Sequence, residues 1–178
     1  VILRPEALAS GLLNFKKNDM KAQLEKSFEV PQGNELVWEH LVDPTKVMDC
    51  VPGVSIDEKV GENQYKGKVG MKFGPIGAKY DADIFYDEVD PENRKIIITG
   101  KGVDVKGQGS ADMTMTMNID QTEAGGSKLD AIMDVTVNGK IAQFGSRLIT
   151  TVSNQLFKQF VSNFSKKLAA AEAAAQTS

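Results

Sequence analysis

Few side chains in this sequence have types and spacings that could do chemistry. The lone histidine, His40, stands near Trp38 in an apolar-periodic segment. As a general base it would need an acid partner, and no spacing supplies one, so it reads as a surface or boundary imidazole. Cys50 precedes Val51-Pro52-Gly53 and reads as a small buried thiol rather than a nucleophile. Asp81 with Asp83, and Asp130 with Asp134, fall at same-face strand spacings, but on the polar face, where carboxylates are solvated. Gly100, Gly102, Gly107 and Gly109 do not open a helix after a strand, so they are no nucleotide loop and read as bends and bulges of a curved sheet. One histidine excludes a His-rich metal site. No metal or cofactor is expected.

A different pattern points to binding. Met113, Met115 and Met117 form a ladder at strand period, with Met71 and Met133 on matching faces. Methionine fills ordinary cores, yet it also makes an adaptable wall for a flexible apolar ligand. Small residues such as Ala82 leave room beside Tyr65 and Tyr80, which would supply polar handles. The expected lining is Tyr65, Val69, Met71, Tyr80, Ala82, Ile84, Met113, Met115, Met117 and Met133 from strands. Phe144, Leu148 and Val152 complete it from a helix. A tail burying roughly 400 Å² would gain about 10 kcal/mol gross at ~25 cal/mol per Å². Association and ordering take back much of that and leave room for micromolar binding.

The elements that must hold these residues are legible in the periodicity. Ala22 to Val30 alternates as a half-buried strand stopped by Pro31. Asn34 is placed to cap a short helix through Leu41, and Asp43-Pro44 to cap a second over Thr45 to Cys50. From Val54 to Lys140 the period is two, with turn residues at Gly61-Glu62-Asn63, Gly74-Pro75, Asp90-Pro91-Glu92-Asn93 and Glu123-Ala124-Gly125-Gly126. After Lys140 the stripe Ile141, Phe144, Leu148, Val152, Leu156, Phe160 and Phe164 predicts one long helix running to about Ala175. Gly145 is expected to let that helix approach the sheet closely. Arg147 is a rim charge or an ion-pair partner. This order predicts an α+β helix-grip fold, a curved antiparallel sheet of about seven strands wrapped around a long C-terminal helix.

The totals fit that reading. The 178 residues suit one domain, expected over residues 20–170, with an Ala-rich tail at 171–178. Residues 1–19 read as an N-terminal extension, native or added, with a short amphipathic helix through Leu8, Leu12, Leu13 and Phe15. The net charge of -3 gives no footprint for nucleic acid. One cysteine excludes an internal disulfide and points to a reducing compartment. No apolar run reaches the ~18 residues of a membrane span.

In order along the chain, several motifs resemble a known family. They are Phe28-Glu29-Val30-Pro31, Val37-Trp38 with Leu41, Asp43-Pro44, and Cys50-Val51-Pro52-Gly53-Val54. Gly74-Pro75-Ile76, Gly107-Gln108-Gly109-Ser110-Ala111, and the stretch from Gly139 to Ile149 follow. Together, from Lys21 to about Leu168, they resemble the G-type accessory proteins of carbon monoxide dehydrogenase, members of the START-like (SRPBCC) superfamily. The resemblance implies an accessory protein of a carbon monoxide dehydrogenase-type molybdenum hydroxylase, proposed to assist membrane recruitment or quinone coupling. It implies a cavity for a lipid or quinone, a cytoplasmic place with contact at the inner membrane face, and no catalytic residues. Two alternatives stay open, a protein–protein adaptor or maturation factor with a filled core, and a helix-grip enzyme using its cavity tyrosines.

Overall fold

Period-two alternation requires a sheet with one face covered, and the long apolar helix is the surface available to cover it. A computed structural model of the chain describes residues 19–177. The short helix expected around residues 8–15 lies outside them. Strand β1 (Met20–Val30) is followed by helices α1 (Asn34–Leu41) and α2 (Pro44–Met48). Six strands follow: β2 (Val54–Lys59), β3 (Gln64–Phe73), β4 (Ile76–Asp90), β5 (Lys95–Asp104), β6 (Ser110–Gln121) and β7 (Ser127–Val137). A 3-10 turn (Ile141–Phe144) leads into α3 (Gly145–Thr177). The sheet has seven antiparallel strands in the order β1-β7-β6-β5-β4-β3-β2.

The outer face of the sheet is a charge ladder. Lys66, Asp83, Lys101 and Asp112 stand opposite one another across β3 to β6, and Lys68 stands opposite Asp81. Opposite charges at such positions each stabilise by roughly 0.2–1 kcal/mol. The aspartates whose spacing could suggest acid–base work thus sit on the solvated face. Asp134 accepts from the Gln23 side chain at 2.9 Å, and Asp130 pairs with Lys128 at 3.6 Å.

The bulges of the sheet lie away from the four glycines Gly100, Gly102, Gly107 and Gly109. Register shifts lie between Ile56 and Glu58 and between Tyr86 and Glu88, so Asp57 and Asp87 are the bulged residues. Gly100 and Gly102 keep regular pairing instead. Gly107 and Gly109 occupy the β5–β6 turn with φ of +70° and +144°, which L side chains rarely adopt.

Local chemistry fixes the helices. Asp43 caps α2, accepting from Thr45 N at 3.0 Å and from its hydroxyl at 2.6 Å, with Pro44 in the first turn. Asn34 does not cap α1; Gly33 does, without a side-chain bond. The Asn34 side chain instead meets the buried Ser127 hydroxyl at 2.7 Å, and that hydroxyl also lies 2.8 Å from the Gln32 carbonyl. The terminal helix starts later than its stripe predicts. Gly145, at φ +83° and ψ 176°, breaks the phase, so residues Ile141–Phe144 form a separate turn. A Cβ at Gly145 would meet nothing within 4 Å, so its use is the positive φ rather than a close approach. From there α3 runs 33 residues, about 50 Å at ~1.5 Å per residue.

Candidate functional site

The interior has a packed half and an emptier half. In the packed half α1, α2 and the second part of α3 close over the sheet around Val37, Leu41, Ile96, Leu129, Phe164 and Leu168. Phe28 meets Phe157, Phe160 and Phe164 edge-on at 5.8, 6.0 and 6.4 Å, while Phe160 and Phe164 stack at 5.3 Å. Polar clasps hold the helices: Asn163 donates to the Cys50 carbonyl at 3.1 Å, and Lys167 to the Lys46 carbonyl at 2.7 Å. His40 is buried here rather than at the surface, its Nδ1 2.9 Å from the Leu36 carbonyl oxygen. Cys50 is buried, and burial pushes its thiol pKa up, which disfavours the thiolate.

In the other half, the first turns of α3 stand off the sheet and leave a cavity of about 140 Å³. Leu148, Ile149, Val152, Ser153 and Leu156 line it from α3, and Ile141 from the turn before. Met71, Ile76, Ala78, Tyr80, Ala111, Val135 and Val137 line it from the sheet. Apart from the Ser153 and Tyr80 hydroxyls, every lining side chain is apolar. Tyr80 is positioned by a glycine: a Cβ at Gly102 would lie 3.2 Å from the Tyr80 Cβ, so the bare backbone makes room for the ring. Burial, then the nearby Asp104 charge, raises the Tyr80 pKa, so the phenol stays protonated. Its hydroxyl makes no hydrogen bond among the described residues.

A wider and more polar cleft of about 540 Å³ adjoins this chamber and shares Met71, Ala78, Tyr80 and Ile141 with it. The β3–β4 turn, the β5–β6 turn and the β7–α3 corner form the cleft, bringing Lys72, Lys79, Lys106 and Lys140 to its rim beside Asp104. Gly139 makes the corner possible, because at φ +84° a Cβ there would lie 2.0 Å from the Gln108 carbonyl oxygen. Lys140 N donates to that same oxygen at 3.0 Å. Asn138 ties the corner to Ser110, its Oδ1 accepting from Ser110 N at 2.8 Å.

Of the residues expected to line the site, Met71, Tyr80, Leu148 and Val152 meet in the chamber. Ile84 and Met117 belong to the packed core, with Tyr65, Met113 and Met115 against it, and Tyr65 contacts Tyr86 edge-on at 6.1 Å. Ala82 is buried within the sheet. Val69 stands opposite Tyr80, and Met133 opposite Leu24 and Met115, both outside the cavity lining. Phe144 is 46% exposed, because the break at Gly145 turns it off the stripe. Arg147 is exposed and forms no ion pair among the described residues. Val135, Val137 and Leu156 share the patterns of the expected residues, and sequence reasoning missed them. The rim lysines gave no signal, since no periodicity says which turns converge.

The inner face also carries charge that the apolar pattern hides. Lys26 lies on it, its Nζ 5.5 Å from the Phe157 ring centroid and bonded to the Asn154 side chain. Asp104 ends β5 on the same face, accepting from Gln108 N at 3.0 Å. No cluster of His, Cys, Asp and Glu among the described residues is placed to hold a metal. No described helix is long and apolar enough to cross a membrane.

A curved antiparallel sheet gripping one long helix over such a chamber defines a START-like helix-grip protein. Solved structures with this fold include a conserved protein from Geobacillus kaustophilus, 25% identical with a TM-score of 0.73, covering 84% of this chain and 97% of that one. The Zhui aromatase/cyclase from Streptomyces sp. R1128 is 14% identical with a TM-score of 0.62, over 84% of this chain and 94% of its own. Norcoclaurine synthase from Thalictrum flavum is 16% identical with a TM-score of 0.57, over 84% and 87%. No curated protein matches the chain. The family model for the carbon monoxide dehydrogenase G subunit (CoxG) matches residues 27–169, and the chain belongs to that family.

Proposed function

We propose that this protein binds a hydrophobic molecule, a quinone or a lipid, as an accessory to a carbon monoxide dehydrogenase-type molybdenum hydroxylase, with contact at the membrane surface. The observation that carries the reading is the apolar chamber between α3 and the sheet, with the unbonded Tyr80 hydroxyl at its border. An empty apolar void loses dispersion contacts along its walls, and a bound chain or ring restores them. Family membership supports the link to the dehydrogenase.

The size of the chamber sharpens the reading. Sites for drug-sized ligands run to roughly 300–1,000 Å³, and the chamber holds only about 140 Å³. Chamber and cleft together reach that range, so the occupant would place one end inside and the rest in the mouth. The same small volume favours the adaptor as the second reading, in which the exposed Val103, Val105 and Phe144 contact a partner protein. Asp104 stands opposite Tyr80 at the cleft, but the chamber wall itself offers no second ionisable group, being apolar apart from Ser153.

Native mass spectrometry after gentle purification, followed by solvent extraction, tests the proposal. A stoichiometric quinone or lipid in the extract is the expected result. An apo mass that stays unchanged when quinone and lipid are added back would sink it and leave the adaptor.

A further inference from the structure

The cleft at the mouth of the chamber inverts the charge of the molecule. The chain carries a net charge of -3, yet the cleft is lined by Lys72, Lys79, Lys106 and Lys140 against the single carboxylate of Asp104. We infer that this cleft holds the anionic head of an amphiphile, a carboxylate or phosphate, whose apolar end enters the chamber. The inference rests on the ligand-binding reading above and selects, of the two ligands named there, a lipid with an anionic head over a quinone, whose head is neutral.

The rim lysines are uncommitted. Several lysines elsewhere have carboxylates to face: Lys46 pairs with Glu39 at 3.1 Å, Lys95 with Glu88 at 3.6 Å, and Lys66 and Lys68 stand opposite aspartates. At the rim, none of the four lysine side chains forms an ion pair or hydrogen bond among the described residues. Asp104 is already engaged by Gln108 N. Like charges gathered in a concave site repel one another, and an anion placed among them relieves that repulsion. A neutral head would leave it in place.

The cleft is also built rather than incidental. Gly139 lets the β7–α3 corner touch the β5–β6 turn, and the Asn138–Ser110 bonds lock the two together. Lys106 and Lys140 are thereby carried on one rigid unit. Tyr80 borders both spaces, so its neutral hydroxyl can donate to the same head while its ring walls the chamber.

Calorimetric titration with decanoate, decyl phosphate, decanol and inorganic phosphate, all below micelle formation, tests this. Decanoate and decyl phosphate should both bind at least about tenfold tighter than decanol, with affinity that falls as salt rises. Whichever is the tighter identifies the head as carboxylate or phosphate. The combined K72Q/K106Q/K140Q variant should lose that advantage while keeping decanol binding. Equal affinity for decanol and both anions, unchanged in the variant, would overturn the anionic head and leave the cavity reading intact. Failure of every chain-bearing probe would overturn both. Inorganic phosphate binding as tightly as decyl phosphate would break the link between head and tail and overturn the inference. So would a variant that loses only its adsorption to anionic vesicles, since the lysines would then serve a membrane face.

Discussion

Gly102 stands diagonal to Tyr80 across β4 and β5, beside its register partner Ala82, so closely that a Cβ on the glycine would lie 3.2 Å from the tyrosine Cβ. The contact is tighter than ordinary packing, and the ring on the other side borders the chamber. The absence of one methyl group on β5 therefore sets where the chamber wall lies.

Gly102→Val should push that ring toward the cavity. Overpacking of this kind costs about 1–3 kcal/mol, part of it offset by removing a glycine from a strand. The expected outcome is a lower midpoint in urea and a lower occupancy of the extracted ligand by native mass spectrometry. Unchanged occupancy would mean that Tyr80 does not form the wall.

The two halves of the interior should respond oppositely to volume changes. Val152→Phe adds atoms where space exists, so it should abolish ligand binding with little loss of stability. Phe164→Ala removes atoms from the packed half and should cost about 3–5 kcal/mol. Thermal unfolding and ligand titration of both variants separate the effects. Retained binding in Val152→Phe would place the ligand elsewhere.

These contrasts show why the fold was more legible than the site. Alternation at Tyr80, Ala82, Ile84 and Tyr86 states which face is inside, because a strand has only two faces. It does not state how far along the sheet the helix stands off. Tyr80 borders the chamber while Ile84 and Tyr86, on the same face of the same strand, are sealed in the core. The methionine ladder misled for the same reason, since Met117 fits a core and a ligand wall equally well and only α3 decides between them. The helix entry failed at one backbone angle: Gly145 at positive φ restarts the stripe, and periodicity alone runs through it.

Asp43 should make the α1–α2 segment sensitive to acid. Hydrogen bonds from Thr45 hold its carboxyl below the ordinary value, so its contribution is present above pH ~3.8 and is lost as pH falls through the lowered folded value. Asp43→Ala should cost about 1 kcal/mol at neutral pH, the usual worth of a cap, and Asp43→Asn much less. Urea melts from pH 7 to 3 should show the gap between wild type and Asp43→Ala closing below about pH 4. A gap that stayed constant would assign the loss to packing.

The Tyr86 hydroxyl is buried and has no hydrogen-bond partner among the described residues, although its ring belongs to the packed half. Burial raises its pKa far above the ordinary value, so the folded state keeps the proton while the unfolded chain releases it near pH 10. Stability should therefore be full below about pH 10 and fall above it by up to ~1.4 kcal/mol per pH unit for this residue. Tyr86→Phe removes both the unpaired hydroxyl and the titration. It should raise stability at neutral pH by about 1 kcal/mol, the desolvation cost of an unsatisfied group, and flatten the alkaline fall, leaving the part due to Tyr80. Denaturant melts of the two proteins at pH 7 and 11 would check this. A variant less stable at pH 7 would show that the hydroxyl has a partner in solution, a bound water or the ligand itself.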